Sequence, residues 1–135
     1  MDLAKQHIDI GLYTNNRDAQ LAFWQNVVGL EFDHVGKLGG GVHQLRHHMN
    51  GSILKINHAR DQLPDLDPSG YRRLLIAKPD LDAVQSLKDP DGNLVDLVPM
   101  GYRGIVGIGI EIVVSDLAAA KGFWLDALEF QAGAD

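Results

Sequence analysis

The sequence has no cysteine, fewer basic than acidic residues, and no long apolar run. Without cysteine, disulfide scaffolds, thiolate zinc sites, iron–sulfur clusters and cysteine nucleophiles are excluded. The 12 lysine and arginine residues against 18 aspartate and glutamate residues give a net charge of −6. The chain therefore lacks the net positive charge that attracts nucleic acid or an anionic membrane. No apolar stretch approaches the roughly 20 residues of a membrane span, and the N-terminal segment carries charges where a signal peptide is apolar. We therefore expect a cytoplasmic protein that binds neither nucleic acid nor membranes.

The composition is that of an ordinary globular domain. With 45% hydrophobic and 22% charged residues over 135 positions, the chain can bury one core. Residues 7–14 alternate between apolar and polar side chains, which predicts a half-buried strand. Arg17–Val28 has apolar residues at helical spacing, Asn16 can cap its start, and Gly29 can end it. The chain is therefore predicted to open with a strand followed by a helix.

Turn signals divide the rest of the chain into short elements. Asn50-Gly51 is a strong hairpin signal, because both central residues of a type I′ turn need positive φ. The run from Asp89 to Gly92, DPDG, is a second turn signal. The predicted strands are 31–38, 42–48, 52–58, 71–78, 93–98 and 107–114, and the further predicted helices are 79–87 and 116–128, the latter capped by Ser115. The first 60 residues are thus predicted to form a β-α-β-β-β unit.

The start of the chain recurs 100 residues later. Residues 8–31 align with residues 108–131 without a gap, with five identities in 24 positions. Helical spacing assigns Trp24 and its repeat Trp124 to the core. We expect one domain over residues 1–135, with modules at 1–60, at 70–101, which is shortened, and at 105–135, an incomplete third repeat. The chain is then either a truncated relative or part of a longer protein, and its open sheet edges need a cover.

Three of these features together resemble the vicinal oxygen chelate superfamily, which includes glyoxalase I, extradiol dioxygenases and bleomycin resistance proteins. They are the β-α-β-β-β unit, the helix end FW-QNVVGL before a strand, and DPDGN before a final strand. The resemblance implies an α+β fold in which βαβββ modules form a half-open, glyoxalase-like barrel sheet with helices on its outer face. It also implies a small-molecule ligand in the concave face of the sheet and a homodimer.

Metal-using members of this superfamily hold a divalent cation on the concave face with four His, Glu or Gln ligands. The resemblance carries the first ligand position to Asp9, with His7 on the same strand face as the alternative. It carries the second position to Lys55, the third to Arg73 and the fourth to Asp96. Strand alternation also assigns Tyr13 to the pocket, because Tyr13 lies on the same strand face as Asp9.

Two cations at ligand positions disfavour a metal. At about 4 Å and an effective dielectric constant near 20, each positive charge repels a divalent ion by about 8 kcal/mol. We therefore expect no metal or other cofactor, and ion pairs of Lys55 and Arg73 with Asp9 and Asp96. The quartet is then either a satisfied polar plug in a former active site, or a site in which Arg73 and Lys55 hold a ligand carboxylate or phosphate. In the second case Asp9 or His7 is the candidate base.

The resemblance leaves several functions open. The first is an enzyme of the glyoxalase or dioxygenase type, a lyase or an oxidoreductase, that acts on a small and anionic organic molecule. The second is a metal-free sequestering protein similar to bleomycin resistance proteins. A third is the non-catalytic half of a four-module enzyme similar to extradiol dioxygenases. The substrate and the reaction are not readable from the sequence.

Overall fold

A computed structural model describes residues 2–133, which form an α+β fold of two four-stranded sheets with few helices and no closed barrel. The eight strands are β1 (Ile10–Thr14), β2 (Glu31–Gly39), β3 (Val42–Met49), β4 (Ser52–Ala59), β5 (Tyr71–Lys78), β6 (Gln85–Lys88), β7 (Leu94–Pro99) and β8 (Ile108–Ile112). The helices are α1 (Arg17–Ala22) and α2 (Leu117–Gly122), which continue as π-helical turns over Phe23–Val27 and Phe123–Ala127, and a 3₁₀ turn at Tyr102–Gly104. No helix of the described chain is long and apolar enough to cross a membrane.

The first sheet confirms the predicted β-α-β-β-β unit. Its strand order is β1-β4-β3-β2, with β1 parallel to β4 and the other pairs antiparallel. Asn50 and Gly51 have φ angles of 51° and 87°, as a type I′ turn between β3 and β4 requires. Gly29 follows the helix at φ 81°, the left-handed conformation that ends a helix. Asn16 makes no side-chain cap, and its amide instead donates to the Asp91 carboxylate at 2.6 Å.

The second sheet has the order β6-β7-β5-β8, with β5 parallel to β7. The prediction of a helix over residues 79–87 is wrong: the chain turns after Lys78, and Gln85–Lys88 pairs antiparallel with β7. Leu81, Val84 and Leu87 have helical spacing, but a helix of nine residues is marginal by itself. Pairing with the neighbouring strand satisfies the same backbone groups and outweighs that weak preference.

The third unit, β8 with α2, repeats the first strand and helix without the same burial. Asp116, rather than the predicted Ser115, caps α2, because its carboxylate accepts from the Ala119 N–H at 2.9 Å. Trp24 is fully buried and its indole N–H donates to Gln20, whereas Trp124 is 40% exposed. The assignment of Trp124 to the core is therefore wrong, because no sheet in the described chain covers the second helix as the first sheet covers α1.

Both sheets contribute to one core. Side chains on alternate positions of β3, β4, β5 and β7 pack with Trp24 and Phe23 of the first helix. Side-chain hydrogen bonds connect the two halves of the chain at two places. At one, the Asn50 side chain donates to the carbonyls of Ala77 and Gly107 at 2.8 and 3.0 Å. At the other, Gln20 of α1 donates to the turn before β7.

Candidate functional site

The candidate site begins with the side of the first sheet that faces away from helix α1. Along β4, Leu54 and Ile56 point into the core, so Lys55 and Asn57 lie on the opposite side. The strand register places Gly11 and Tyr13 of β1, and Gln44 and Arg46 of β3, beside them. We call this surface the polar face; it comprises Asp9, Gly11, Tyr13, Gln44, Arg46, Lys55 and Asn57.

Asp9 and Lys55 form an ion pair on the polar face, as predicted. The Lys55 Nζ lies 2.8 Å from Asp9 Oδ2, and both side chains are largely buried. Asp9 also pairs with Lys5 and accepts the backbone N–H of Ile53 at 3.0 Å. Burial acts to raise the pKa of Asp9, but these hydrogen bonds and charges outweigh it and hold the pKa well below its usual range. Asp9 is thus a carboxylate that binds protons weakly.

Arg46 is a second cation on the polar face, and the sequence analysis missed it. It lies directly opposite Lys55 across β3 and β4, and its Nη1 donates to Gln44 at 2.9 Å. Gln44 in turn donates to Asn57 at 2.9 Å. The Arg46 Nε is buried without a hydrogen-bond partner, and Arg46 forms no ion pair with any carboxylate of residues 2–133. The signal that identifies it is the two-residue turn at Asn50-Gly51, which fixes Arg46 opposite Lys55.

Arg73 and Asp96 form the second predicted ion pair, on the second sheet. The Arg73 Nη1 lies 2.8 Å from Asp96 Oδ2, and Asp96 is nearly fully buried. The Arg73 Nε lies 3.9 Å from the Glu111 carboxylate of β8. Arg73 is thus matched by carboxylates within its own sheet, unlike Arg46. The predicted quartet therefore consists of two pairs, one on each sheet.

The two alternatives for the first site position lie in different surroundings. Asp9 contacts Lys55, whereas the His7 ring packs against Gly51 and lines a separate cavity of about 490 Å³ beside Asn50 and Ile105. Of the two alternatives, Asp9 is therefore the one that lies on the polar face, and His7 lies outside it.

A cavity of about 350 Å³ opens beside β1, next to the Asp9–Lys55 pair. It is lined by Asp9, Ile10, Gly11, Leu12 and Tyr13 from the first sheet, and by Ser69, Tyr71 and Asn93 from the second half of the chain. The Tyr71 hydroxyl is buried without a hydrogen-bond partner in the described chain. Burial, together with the negative charge of Asp89, raises the pKa of Tyr71 to about 12, so the hydroxyl remains a hydrogen-bond donor.

The residues of the candidate site do not fit the divalent metal that the superfamily's usual site implies. Lys55 and Arg73 stand at two of the four ligand positions that the resemblance implies, and their cationic atoms lie 2.8 Å from Asp9 and Asp96, the carboxylates at the other two. Within residues 2–133, no three His, Asp or Glu side chains are grouped closely enough to hold a metal.

Solved structures with a similar fold include two that align with TM-scores above 0.5. One is SMU.1112c, with a TM-score of 0.55, 17% identity, and coverage of 71% of this chain and 99% of that chain. Another is TnmS3, an antibiotic-binding protein from Streptomyces sp. CB03234, with a TM-score of 0.53, 20% identity, and coverage of 73% and 98%. A lactoylglutathione lyase from Agrobacterium tumefaciens aligns at a TM-score of 0.46 with 18% identity, covering 69% and 92%.

No protein-family model matches the sequence, and no curated protein matches it either. The chain therefore shares its fold with SMU.1112c and TnmS3, and its two mixed sheets have the α+β class that the resemblance predicted.

Proposed function

We propose that the chain binds a small anionic organic molecule on the polar face of its first sheet, where Arg46 and Lys55 hold a carboxylate or phosphate group. One observation carries the proposal: two cations lie directly opposite each other, and one of them has no carboxylate partner in the described chain. Like charges directly opposite across two strands destabilise a sheet. A ligand anion between them removes that repulsion, and the guanidinium offers it a two-pronged donor.

The charges of the polar face favour an anion over a cation. Asp9 contributes one negative charge, and Lys5, Lys55 and Arg46 contribute three positive charges around it. The acidic net charge of −6 therefore does not extend to this surface. The antibiotic-binding function that the TnmS3 description gives for that protein supports small-molecule binding by this fold. In this proposal Tyr13 flanks the anion, while Arg73 and Asp96 form a matched pair on the neighbouring sheet.

Binding is favoured over base catalysis by the state of Asp9. A general base works best with a pKa near the operating pH. The Lys5 and Lys55 charges lower the pKa of Asp9 far below that range despite its burial, so the carboxylate is a poor proton acceptor. His7, the other candidate base, lies in the separate cavity against Gly51.

The test is calorimetric titration of the purified chain with benzoate and with inorganic phosphate at constant ionic strength. We expect at least one anion to bind, and we expect Arg46→Met to weaken it by about tenfold or more, because hydrogen bonds to charged groups are strong. Arg17→Met removes the same charge from helix α1, where the arginine pairs with Asp18, and serves as the control. Binding of neither anion, or an equal loss in both variants, would contradict the proposal.

A Lys55 variant separates a ligand site from a polar plug, because Lys55 belongs to the predicted plug and pairs with Asp9. If Lys55 serves binding, Lys55→Met leaves the free energy of unfolding within about 1 kcal/mol of wild type, since the repulsion between Lys55 and Arg46 is removed and Asp9 keeps its pair with Lys5. A plug predicts a clear loss of stability, because breaking one of its pairs leaves a buried charge without that partner.

A further inference from the structure

Gly11 lies in the middle of the polar face without a conformational reason for being glycine. It occupies the interior of β1, directly beside Lys55 of β4, and its φ angle is not in the left-handed region. Glycine weakens a strand, and within strands it often marks a place where a ligand approaches the backbone closely. A Cβ at this position would come within 3.4 Å of Asn57 Nδ2, which is ordinary contact, so a methyl group fits here and a larger side chain fills the space above the strand.

The missing side chain connects two features of the site. Gly11 lines the cavity beside β1, and it is also the neighbour of Lys55 on the polar face. A molecule held by Lys55 and Arg46 can therefore extend over Gly11 into the cavity. A volume of about 350 Å³ lies at the lower end of the range for small-molecule pockets, which suits a ligand of one ring.

Two tyrosines of the cavity offer a ligand an aromatic ring and a hydrogen-bond donor. Tyr13 is 60% exposed and lies two residues beyond Gly11 on the same strand face, so its ring is available for an aromatic contact. Tyr71 lines the cavity from the second sheet and has a buried hydroxyl with no partner in the described chain. An unsatisfied buried donor is costly, and a ligand oxygen that accepts from it removes that cost.

We propose that the ligand is an aromatic carboxylate whose ring lies over Gly11 beside Tyr13, and that a ring hydroxyl or carbonyl oxygen accepts a hydrogen bond from Tyr71. This inference rests on the proposed function, because the carboxylate is the anion held by Arg46 and Lys55. It adds the shape and the second polar group of the ligand, and it makes Gly11 and Tyr71 the residues that determine specificity.

The experiment compares acetate, cyclohexanecarboxylate, benzoate, 3-hydroxybenzoate and 4-hydroxybenzoate by calorimetry at constant ionic strength. We expect benzoate to bind more tightly than cyclohexanecarboxylate and one hydroxybenzoate to bind more tightly still. Tyr71→Phe should lower the affinity for that hydroxybenzoate by about threefold to tenfold, the usual effect of one hydrogen bond, and leave benzoate unchanged. Gly11→Val should weaken every ring-containing anion and leave acetate unchanged, with Gly11→Ala, which retains the space, as its control.

The outcomes distinguish this inference from the proposed function. If all the carboxylates bind equally and still depend on Arg46, the anion site stands and the aromatic ligand is refuted. If Tyr71→Phe weakens benzoate and the hydroxybenzoates to the same extent, the hydrogen bond to the ligand is refuted. If no carboxylate binds, both proposals fail. Should Gly11→Val not fold, two measurements still test the aromatic ligand. They are the effect of Tyr71→Phe, and the comparison of benzoate with cyclohexanecarboxylate on the wild-type chain.

Discussion

Asp89 offers the sharpest test of how the fold is held together, because one carboxylate receives four hydrogen bonds. It is only 3% exposed. Its Oδ1 accepts the backbone N–H groups of Asp91 and Asn93 at 3.0 and 2.8 Å. Its Oδ2 accepts the side-chain amides of Asn93 at 2.8 Å and of Gln20 at 3.1 Å. Asp89 therefore closes the turn before β7 and ties that turn to helix α1.

The magnitude follows from those contacts. With a net contribution of about 1 kcal/mol for each hydrogen bond, Asp89→Ala should lower the free energy of unfolding by about 4 kcal/mol. This is a large part of the roughly 5–15 kcal/mol that stabilises a natural domain. Asp89→Asn retains the oxygen that accepts the two backbone N–H groups and replaces Oδ2 by an amide that faces two donors. We therefore expect about half the loss in that variant.

The measurement is urea unfolding followed by circular dichroism. With a slope of about 1–3 kcal/mol per molar urea, the midpoint for Asp89→Ala should fall by roughly 1.3–4 M, and that for Asp89→Asn by about half as much. Asp82→Ala, which removes an exposed carboxylate from the preceding loop, should change the stability by less than about 0.5 kcal/mol. A loss below about 1 kcal/mol in Asp89→Ala would refute this account of the turn.

Two further predictions concern burial. Trp24→Ala should cost about 3–5 kcal/mol, as expected for a fully buried tryptophan, whereas Trp124→Ala should cost less than half of that; urea unfolding of both variants checks the difference. Burial lowers the pKa of His47 below its ordinary value of 6.5, so the unfolded chain takes up the proton first. The contribution of His47 to stability is therefore complete above about pH 6.5 and is lost as the pH falls through the folded-state pKa. Unfolding measured between pH 7.5 and 5 should show this slope, His47→Leu should reduce it, and the exposed His43→Leu should not.

The fold was largely predictable because its strongest signals are local. The strand predicted after the polar loop that ends at Gly70 has the same bounds as β5, Tyr71–Lys78, and the Asn50-Gly51 turn predicted the β3–β4 hairpin. The segment at 79–87 was not predictable from spacing, because whether it forms a strand depends on the partner β7. The exposure of Trp124 also depends on packing partners, since its sequence pattern is the same as that of Trp24.

The candidate site was predictable where the resemblance assigned the positions and the charges then indicated the partners. Asp9, Lys55, Arg73 and Asp96 came from the ligand positions that the resemblance implies, and their opposite charges predicted the ion pairs. Arg46 needed one further step, the register between β3 and β4, to place it opposite Lys55. The buried hydroxyl of Tyr71 depends on how the two halves of the chain meet, which no local pattern encodes.

The amide of Asn50 donates to carbonyls at the end of β5 and just before β8, so backbone atoms help to set the spacing of the two halves. The turn that carries Asn50 lies at the far end of β3 and β4 from Gln44 and Asn57, and its geometry does not involve the charges between them. Substitutions of Arg46 or Lys55 should therefore change which ligand the proposed site binds, while the spacing between the two halves of the chain stays the same. A scaffold of this kind lends itself to selection for new ligands by altering a few side chains on one surface.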